Sequence, residues 1–233
     1  MKPIRTFYFS DVLCVWAYIA QIRIEELKTA FPDDIEIDYH FVPVFGNAHE
    51  KLENGWRDSP EARLRQRGGF TGYSNHVKEI GRKFEHITVH PDIWTHDIPA
   101  SSISSHLFLR AVQLLEVKGV VPKSDRVLEK MAWAFREAFF TQLANVSDRN
   151  VQFAIAESLK LPINDIKATI DSGEAYAQLA KDIELVKEHN VTVSPTLIFN
   201  EGRQRLNGNV GYRVIEANIR ELLHNPAGEQ TWC

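Results

Sequence analysis

The sequence predicts a mixed α/β protein in which one sheet is interrupted by a large helical insertion. Three observations lead to this prediction. Residues 1–50 show a strand, helix, strand pattern, residues 51–173 carry a 3.6-residue apolar period, and residues 174–225 return to a helix, two strands and a helix. The order βαβ, helices, αββα therefore predicts two halves of one sheet, joined through the insertion, with residues 226–233 as an irregular tail.

The opening segment predicts a βαβ unit. Thr6–Phe9 and Ile35–Val42 run apolar or alternate as strands do, the second with Ile35, Ile37, Tyr39 and Phe41 on one face. A helix over Ala17–Ala30 separates them and ends at Phe31-Pro32-Asp33-Asp34. Its positions at helical spacing are Ile19, Ile22 or Arg23, Glu26 or Leu27, and Ala30. A helix between two strands is the usual parallel crossover.

The insertion is predicted to be helical throughout. Its helices are expected at Pro60–Phe84, Ser101–Lys118, Ser124–Gln142, Asp148–Lys160 and Asn164–Ser172. Residues 69–74, within the first of these, and residues 86–99 are interpreted as loops. Caps are predicted at Ser59, Ser124, and Ser147 or Asp148.

The closing segment predicts the second half of the sheet. A helix over Glu174–His189 carries Tyr176, Leu179, Ile183 and Val186 on its apolar face. Strands follow at Val191–Phe199 and Arg203–Asn207 around a turn, and a helix is expected over Tyr212–Leu223.

Composition argues against several classes of function. The formal net charge is −4 and the pI about 6.1, so the chain has no basic field for nucleic acid or anionic lipid. We find no apolar run long enough for a membrane span and no signal-peptide core after the first residues. Two cysteines, Cys14 and Cys233, cannot build a disulfide scaffold. We therefore expect a cytoplasmic protein that acts on small molecules or other proteins.

Cys14 lies between the first strand and the first helix, where its sulfur would meet the helix N-terminus. Unpaired N–H groups and the helix dipole favour an anion there, and cysteines in such places can have a pKa of roughly 3.5 to 7.5. Cys14 is therefore a candidate nucleophile. The alternative is that it is a small buried apolar side chain.

Two segments resemble the DsbA-like branch of the thioredoxin superfamily. They are Phe7–Ile19, which contains Cys14-Val15-Trp16-Ala17-Tyr18, and Val193-Ser194-Pro195-Thr196. The resemblance implies a thioredoxin fold with a helical insertion and a thiol–disulfide oxidoreductase activity at Cys14. It further implies that Pro195 is cis and faces the cysteine, that the Ser194 backbone aligns a bound partner, and that Trp16 lines the cleft.

The chain departs from that family at the second cysteine. Ala17 stands in its place and Val15 replaces the intervening proline, so a Cys-x-x-Cys disulfide cannot form. A mixed disulfide on Cys14 then needs another thiol to resolve it: glutathione, a substrate thiol or Cys233. Cys233, beside Trp232, is either such a resolving thiol or an incidental terminal residue.

The start of the chain equally resembles kappa-class glutathione transferases and 2-hydroxychromene-2-carboxylate isomerases. Asp11-Val12-Leu13-Cys14 matches their opening segment, with Cys14 in place of the catalytic serine. Gly208 is followed by Asn209 instead of the family's Ser-Asp pair, so Asn209 is the residue left to bind a glutathione carboxylate. A glutathione-dependent transferase or isomerase is thus one alternative function, and a non-catalytic thioredoxin-fold binding protein is another.

Further polar residues are assigned with less specific roles. His106, at the end of Ser101–His106, is expected in the cleft, with a half-buried structural histidine as the alternative. Asp11 is a helix cap or a partner for the thiol proton. His86, His90 and His96 lack zinc-site spacing, so we expect no metal. We expect no tightly bound cofactor, glutathione as a cosubstrate, a small thiol or a protein thiol or disulfide as partner, and a plausible homodimer.

Overall fold

The strands of the described residues form one four-stranded sheet in the order β2-β1-β3-β4. The computed structural model describes residues 3–53, 56, 60, 68–199, 202 and 204–224. The strands are β1 (Ile4–Ser10), β2 (Ile35–Phe41), β3 (Thr196–Phe199) and β4 (Gln204–Asn207). β1 pairs parallel with β2 and antiparallel with β3, and β3 pairs antiparallel with β4. The two ends of the chain therefore share one sheet, as the sequence predicts.

Helices occupy most of the remaining described chain. They are α1 (Val15–Ala30), α2 (Ala48–Glu53), α3 (Gly69–Gly81), α4 (Ser102–Val117), α5 (Val127–Gln142), α6 (Arg149–Ser158), α7 (Ile163–Asp171), α8 (Glu174–Glu188) and α9 (Tyr212–His224), with a 3-10 turn at Lys123–Asp125. Asp148 caps α6, since its side chain accepts a hydrogen bond from the Asn150 N–H. The predicted cap at Ser59 lies outside the described residues.

Three local predictions are wrong. Residues 69–74, interpreted as a loop, begin α3, because a glycine-rich sequence can be held helical by its packing. The predicted buried face of α8 is also incorrect: Tyr176 is 57% exposed, and the buried positions include Asp182. The cap predicted at Ser124 is wrong too, because α5 begins only at Val127.

Apolar clusters on the two faces of the sheet position the Cys14 loop. Tyr8 packs with residues of α1 and α9 on one face, while its neighbour Phe9 packs on the opposite face. The largest cluster joins the loop over residues 12–15 to insertion side chains such as Phe108 and Phe139. The loop between β1 and α1 is therefore buried at the boundary between the sheet and the inserted helices.

A buried ionic cluster holds the insertion to the sheet. Arg110 of α4 donates to the Asp182 carboxylate of α8, with Nε 2.7 Å from Oδ2, and its Nη2 donates to the Tyr39 carbonyl oxygen of β2 at 2.8 Å. His40 Nδ1 lies 2.9 Å from Asp182 Oδ1. Because Arg110 and Asp182 are both buried, each charged side chain is stabilised in the interior by the opposite charge of the other.

Candidate active site

Cys14 is the residue that caps the N-terminus of α1. Its backbone is extended and its carbonyl oxygen accepts hydrogen bonds from the N–H groups of Ala17 (3.0 Å) and Tyr18 (3.1 Å). The thiol donates to the carbonyl oxygen of Ser194 across 3.2 Å. Only 5% of the residue is exposed. The start of the first helix and the segment before the third strand thus meet at this sulfur.

The segment opposite Cys14 contains a cis proline. The peptide bond between Ser194 and Pro195 is cis, as the family resemblance implies. Ser194 Oγ accepts a hydrogen bond from the Asp11 N–H (2.8 Å), and the Pro195 carbonyl oxygen accepts one from the Gly208 N–H (2.7 Å). Hydrogen bonds on both sides therefore fix this segment against the Cys14 loop.

Burial raises the pKa of the Cys14 thiol above its ordinary value, and this is the largest influence on it. A side-chain hydrogen bond from Ser194 and the N–H groups of Ala17 and Trp16 lower the pKa, while the negative charge of Asp11 raises it. The expected low-pKa thiolate is therefore wrong for this structure. The helix N-terminus acts in the predicted direction, but removal of water from the sulfur outweighs it.

Asp11 is a structural anchor of the Cys14 loop. Its Oδ1 accepts from the Leu13 N–H, and its Oδ2 accepts from the Phe45 N–H and the Ser102 hydroxyl, each at 2.8 Å. The side chain is completely buried. These bonds tie the loop to the start of α4, but none of them caps α1, whose N-cap residue is Cys14 without a side-chain cap bond.

His106 supports the same loop from behind. The imidazole is fully buried, stacks on Phe41 with ring centroids 4.9 Å apart, and accepts the Val12 N–H at Nε2 (3.3 Å). Burial lowers the pKa of His106, so the ring is neutral at pH 7. Its Nδ1 has no hydrogen-bond partner among the described residues. The sequence placed this residue near the site, but its burial separates it from solvent.

The other predicted site residues lie at the edge of the site. Trp16 is half-buried and packs edge-to-face on Phe84, with centroids 6.3 Å apart. Asn209 is exposed, and its side-chain oxygen accepts a hydrogen bond from Arg23 of α1. Cys233 lies outside the described residues, so its pairing with Cys14 remains a prediction.

Tyr73 is a site residue that the sequence did not indicate. The phenol is buried, and its pKa is held well above the ordinary value first by burial and then by the nearby charges of Cys14 and Asp11. Its ring packs against Phe45 and Trp94, with centroids 5.7 and 5.5 Å apart. The glycines around Tyr73 predicted a loop, so the pattern carried no signal for a buried phenol.

The histidines of residues 86–96 make local hydrogen bonds. His86 Nε2 lies 3.0 Å from the Ile19 carbonyl oxygen, and His90 Nδ1 accepts the Asp92 N–H at 3.1 Å. In the part of the chain that the structure describes, no three His, Cys, Asp or Glu side chains form a metal-binding group. Within those same residues, every helix is too short or too polar to cross a membrane.

Comparison with known proteins identifies a family. A family model described as the DSBA-like thioredoxin domain matches residues 7–220. The chain is 32% identical over 94 residues to the ClpXP adapter protein SpxH of Bacillus subtilis, covering 38% of this chain and 31% of that protein. It is 25% identical over 232 residues to SpxH of Halalkalibacterium halodurans, covering 95% of this chain and 68% of that protein.

Three solved structures share the fold at low sequence identity. A probable DsbA oxidoreductase from Streptomyces coelicolor has a TM-score of 0.69 and 18% identity, covering 99% of this chain and 92% of that one. A 2-hydroxychromene-2-carboxylate isomerase has a TM-score of 0.63 and 14% identity, covering 96% and 98%. The cytosolic disulfide reductase DsbM from Pseudomonas aeruginosa, solved with GSH, has a TM-score of 0.58 and 15% identity, covering 95% and 98%.

Proposed function

Because the chain belongs to the DSBA-like thioredoxin domain family, we propose that it carries out thiol–disulfide exchange through the single cysteine Cys14. The observation that carries this proposal is the position of the sulfur. It lies at the N-terminus of α1, 3.2 Å from the carbonyl oxygen that precedes the cis Pro195. A thiol so placed faces a backbone segment that can align a partner.

The reaction needs one thiol from outside the site. The Cys14 thiolate attacks a disulfide R–S–S–R′, so a Cys14–S–S–R bond forms and R′–S⁻ leaves. A glutathione thiolate then attacks the sulfur of R, which forms the mixed disulfide of R with glutathione and releases the Cys14 thiolate. Ala17, in place of a second cysteine, leaves this step to a thiol outside the Cys14 segment. Each step exchanges one S–S bond for another.

Thiolate formation controls the rate of this chemistry. In the closed, buried site the Cys14 thiol is protonated at neutral pH, because burial raises its pKa. The N–H groups of Ala17 and Trp16 and the side chain of Ser194 already lower that pKa. A partner or water that reaches the sulfur reduces the burial penalty and leaves those stabilising groups in place.

Glutathione is the partner thiol that we favour. The DsbM structure was solved with GSH, and Arg23 places a guanidinium beside Asn209 at the exposed edge of the site, where a carboxylate can bind. Glutathione is abundant in reducing compartments, so this choice agrees with the cytoplasmic location that the two-cysteine composition favours.

The test is mixed-disulfide formation with oxidised glutathione in a Cys233→Ser protein. Intact-mass spectrometry over a range of pH should show one glutathione added at Cys14, faster as the pH rises, and added reduced glutathione should remove it. The Cys233→Ser, Cys14→Ser protein is the matched control and should remain unmodified. A Cys14 that stays unmodified up to about pH 9, where an ordinary thiol is largely ionised, contradicts the proposal.

A glutathione-dependent isomerase or transferase is a second candidate, favoured by the aromatic enclosure. Tyr73 lies near Cys14 and packs on the buried rings of Phe45 and Trp94, and a flat aromatic substrate that reaches the cysteine would pack against this cluster. The fold is shared with a 2-hydroxychromene-2-carboxylate isomerase. A Cys14→Ser protein that still isomerises or conjugates an aromatic substrate with glutathione would favour this function over disulfide exchange.

A non-catalytic binding role is the third candidate. The curated relatives are described as ClpXP adapter proteins, and a buried, protonated Cys14 is compatible with a protein that binds instead of reacting. Under this function, Cys14 stays inert to oxidised glutathione and Cys14→Ser leaves partner binding unchanged. The mass-spectrometric test above therefore separates this candidate from the first.

A further inference from the structure

A cavity of about 440 Å³ lies between α1 and α5, and its lining includes no residue of the Cys14 site. Its apolar wall contains Ile22, which is 51% exposed, and the indole of Trp133. A volume of this size is within the usual range for small-molecule sites. The exposure of a large apolar side chain on a helix is thereby explained by its position at the cavity.

A buried arginine lies directly behind the cavity wall. Arg136 is 1% exposed; its Nη1 donates to Oε1 of Gln21, which lines the cavity, at 2.7 Å, and its Nη2 donates to Ser10 Oγ at 3.1 Å. Its Nε has no partner, and no carboxylate forms an ion pair with it among the described residues. A buried charge with neutral partners alone is costly, so this guanidinium would gain from an anion.

The groups around the cavity carry a positive excess. Gln21, which accepts from Arg136 through Oε1, also donates from Nε2 to Glu25 Oε1 at 3.2 Å. Both Glu25 and Glu129 already pair with Arg126. Four cations and two carboxylates line or back the cavity: Lys28, Arg126, Lys130, Arg136, Glu25 and Glu129. The local field therefore favours an anionic ligand.

We infer that this cavity binds a small aromatic carboxylate. The ring would lie against Ile22 and Trp133, where apolar burial and aromatic packing stabilise it. The carboxylate would face Gln21, backed by Arg136, and the exposed ammonium of Lys130. This site is separate from the proposed thiol chemistry, because Cys14 does not line it.

The probe for this site is 1-naphthoate, titrated into the full-length protein by isothermal calorimetry. We expect one saturable site, and binding of the neutral 1-naphthamide about tenfold weaker, because it lacks the charge. Ile22→Gln, which removes apolar contact without adding charge, should weaken naphthoate binding, and Ile22→Glu, which adds a carboxylate at the exposed wall, should weaken it at least about tenfold more than Ile22→Gln does. Lys130→Gln should weaken binding and Lys130→Arg should preserve it.

The variants at Ile22 and Lys130 are chosen because both side chains are exposed, so the fold does not depend on them. The inference is overturned if naphthoate does not bind at about millimolar concentration, or if the amide binds equally well. It is also overturned if Ile22→Glu leaves binding unchanged, or if Cys14→Ser abolishes it, because the ligand would then occupy the cysteine cleft. Binding that survives Cys14→Ser supports the site whatever the outcome of the glutathione test.

Discussion

Replacing Asp11 by asparagine is expected to destabilise the protein and to make the Cys14 thiol more acidic. The carboxylate accepts three hydrogen bonds, from Leu13, Phe45 and Ser102, each at 2.8 Å. Asparagine has one acceptor oxygen, so at least one buried donor loses its partner, which costs about 1–3 kcal/mol of the free energy of unfolding. Removing the negative charge also lowers the pKa of Cys14, because that charge now raises it.

Both effects are measured in a Cys233→Ser background. Urea unfolding followed by tryptophan fluorescence gives the free energy of unfolding, and the pH dependence of iodoacetamide alkylation gives the apparent pKa of Cys14. Asp33→Asn, at an exposed carboxylate, is the matched control and should leave both quantities unchanged. An Asp11→Asn protein with parental stability, or with an alkylation midpoint unchanged or moved to higher pH, would refute the reasoning.

Three further changes test the fold around the site. Asp182→Ala leaves the buried guanidinium of Arg110 without its carboxylate partner and should cost about 3–5 kcal/mol in urea unfolding. The double change Arg110→Met with Asp182→Leu should cost less free energy of unfolding than the sum of Arg110→Met and Asp182→Leu measured singly. Burial lowers the pKa of His106, so below about pH 6.5 this imidazole binds a proton in the unfolded chain but stays neutral in the folded protein until a lower pH. Stability should therefore fall as the pH drops from 7 to 5, and His106→Phe should flatten that dependence in urea titrations. Gly81→Ala would place a Cβ 2.7 Å from a methyl carbon of Val89, so a loss of about 1–3 kcal/mol is expected, and an unchanged melting temperature would show that Val89 moves freely.

The positions of the first two strands along the chain were predictable from the sequence because their signals are local. Alternation along Ile35–Phe41 and the apolar run before Cys14 depend only on neighbouring residues. The cis bond at Pro195 was predictable only from the family resemblance, since most bonds before proline are trans. The position of Cys14 at a helix N-terminus likewise follows from the boundary between β1 and α1.

Properties set by distant contacts were not predictable. Asp182 occupies a buried position of α8 because Arg110, 72 residues earlier, neutralises it, and a pattern of apolar residues assigns that place to Ile183 instead. The pKa of Cys14 is likewise set by residues that are distant from it in the sequence. The helix N-terminus favours a thiolate, but the burial that overrides it comes from a core cluster that Cys14 shares with residues of the insertion.

The separation of the two halves of the sheet has a consequence during synthesis. β1 can pair with β2 early, but Phe9 pairs with Thr196 and the Cys14 thiol bonds to Ser194, 180 residues later. Until β3 has been translated, one edge of β1 is open to other chains. A nascent or truncated chain that lacks Ser194 would therefore leave the Cys14 thiol without this carbonyl acceptor, and the sulfur reaches its buried position only after Ser194 has been translated.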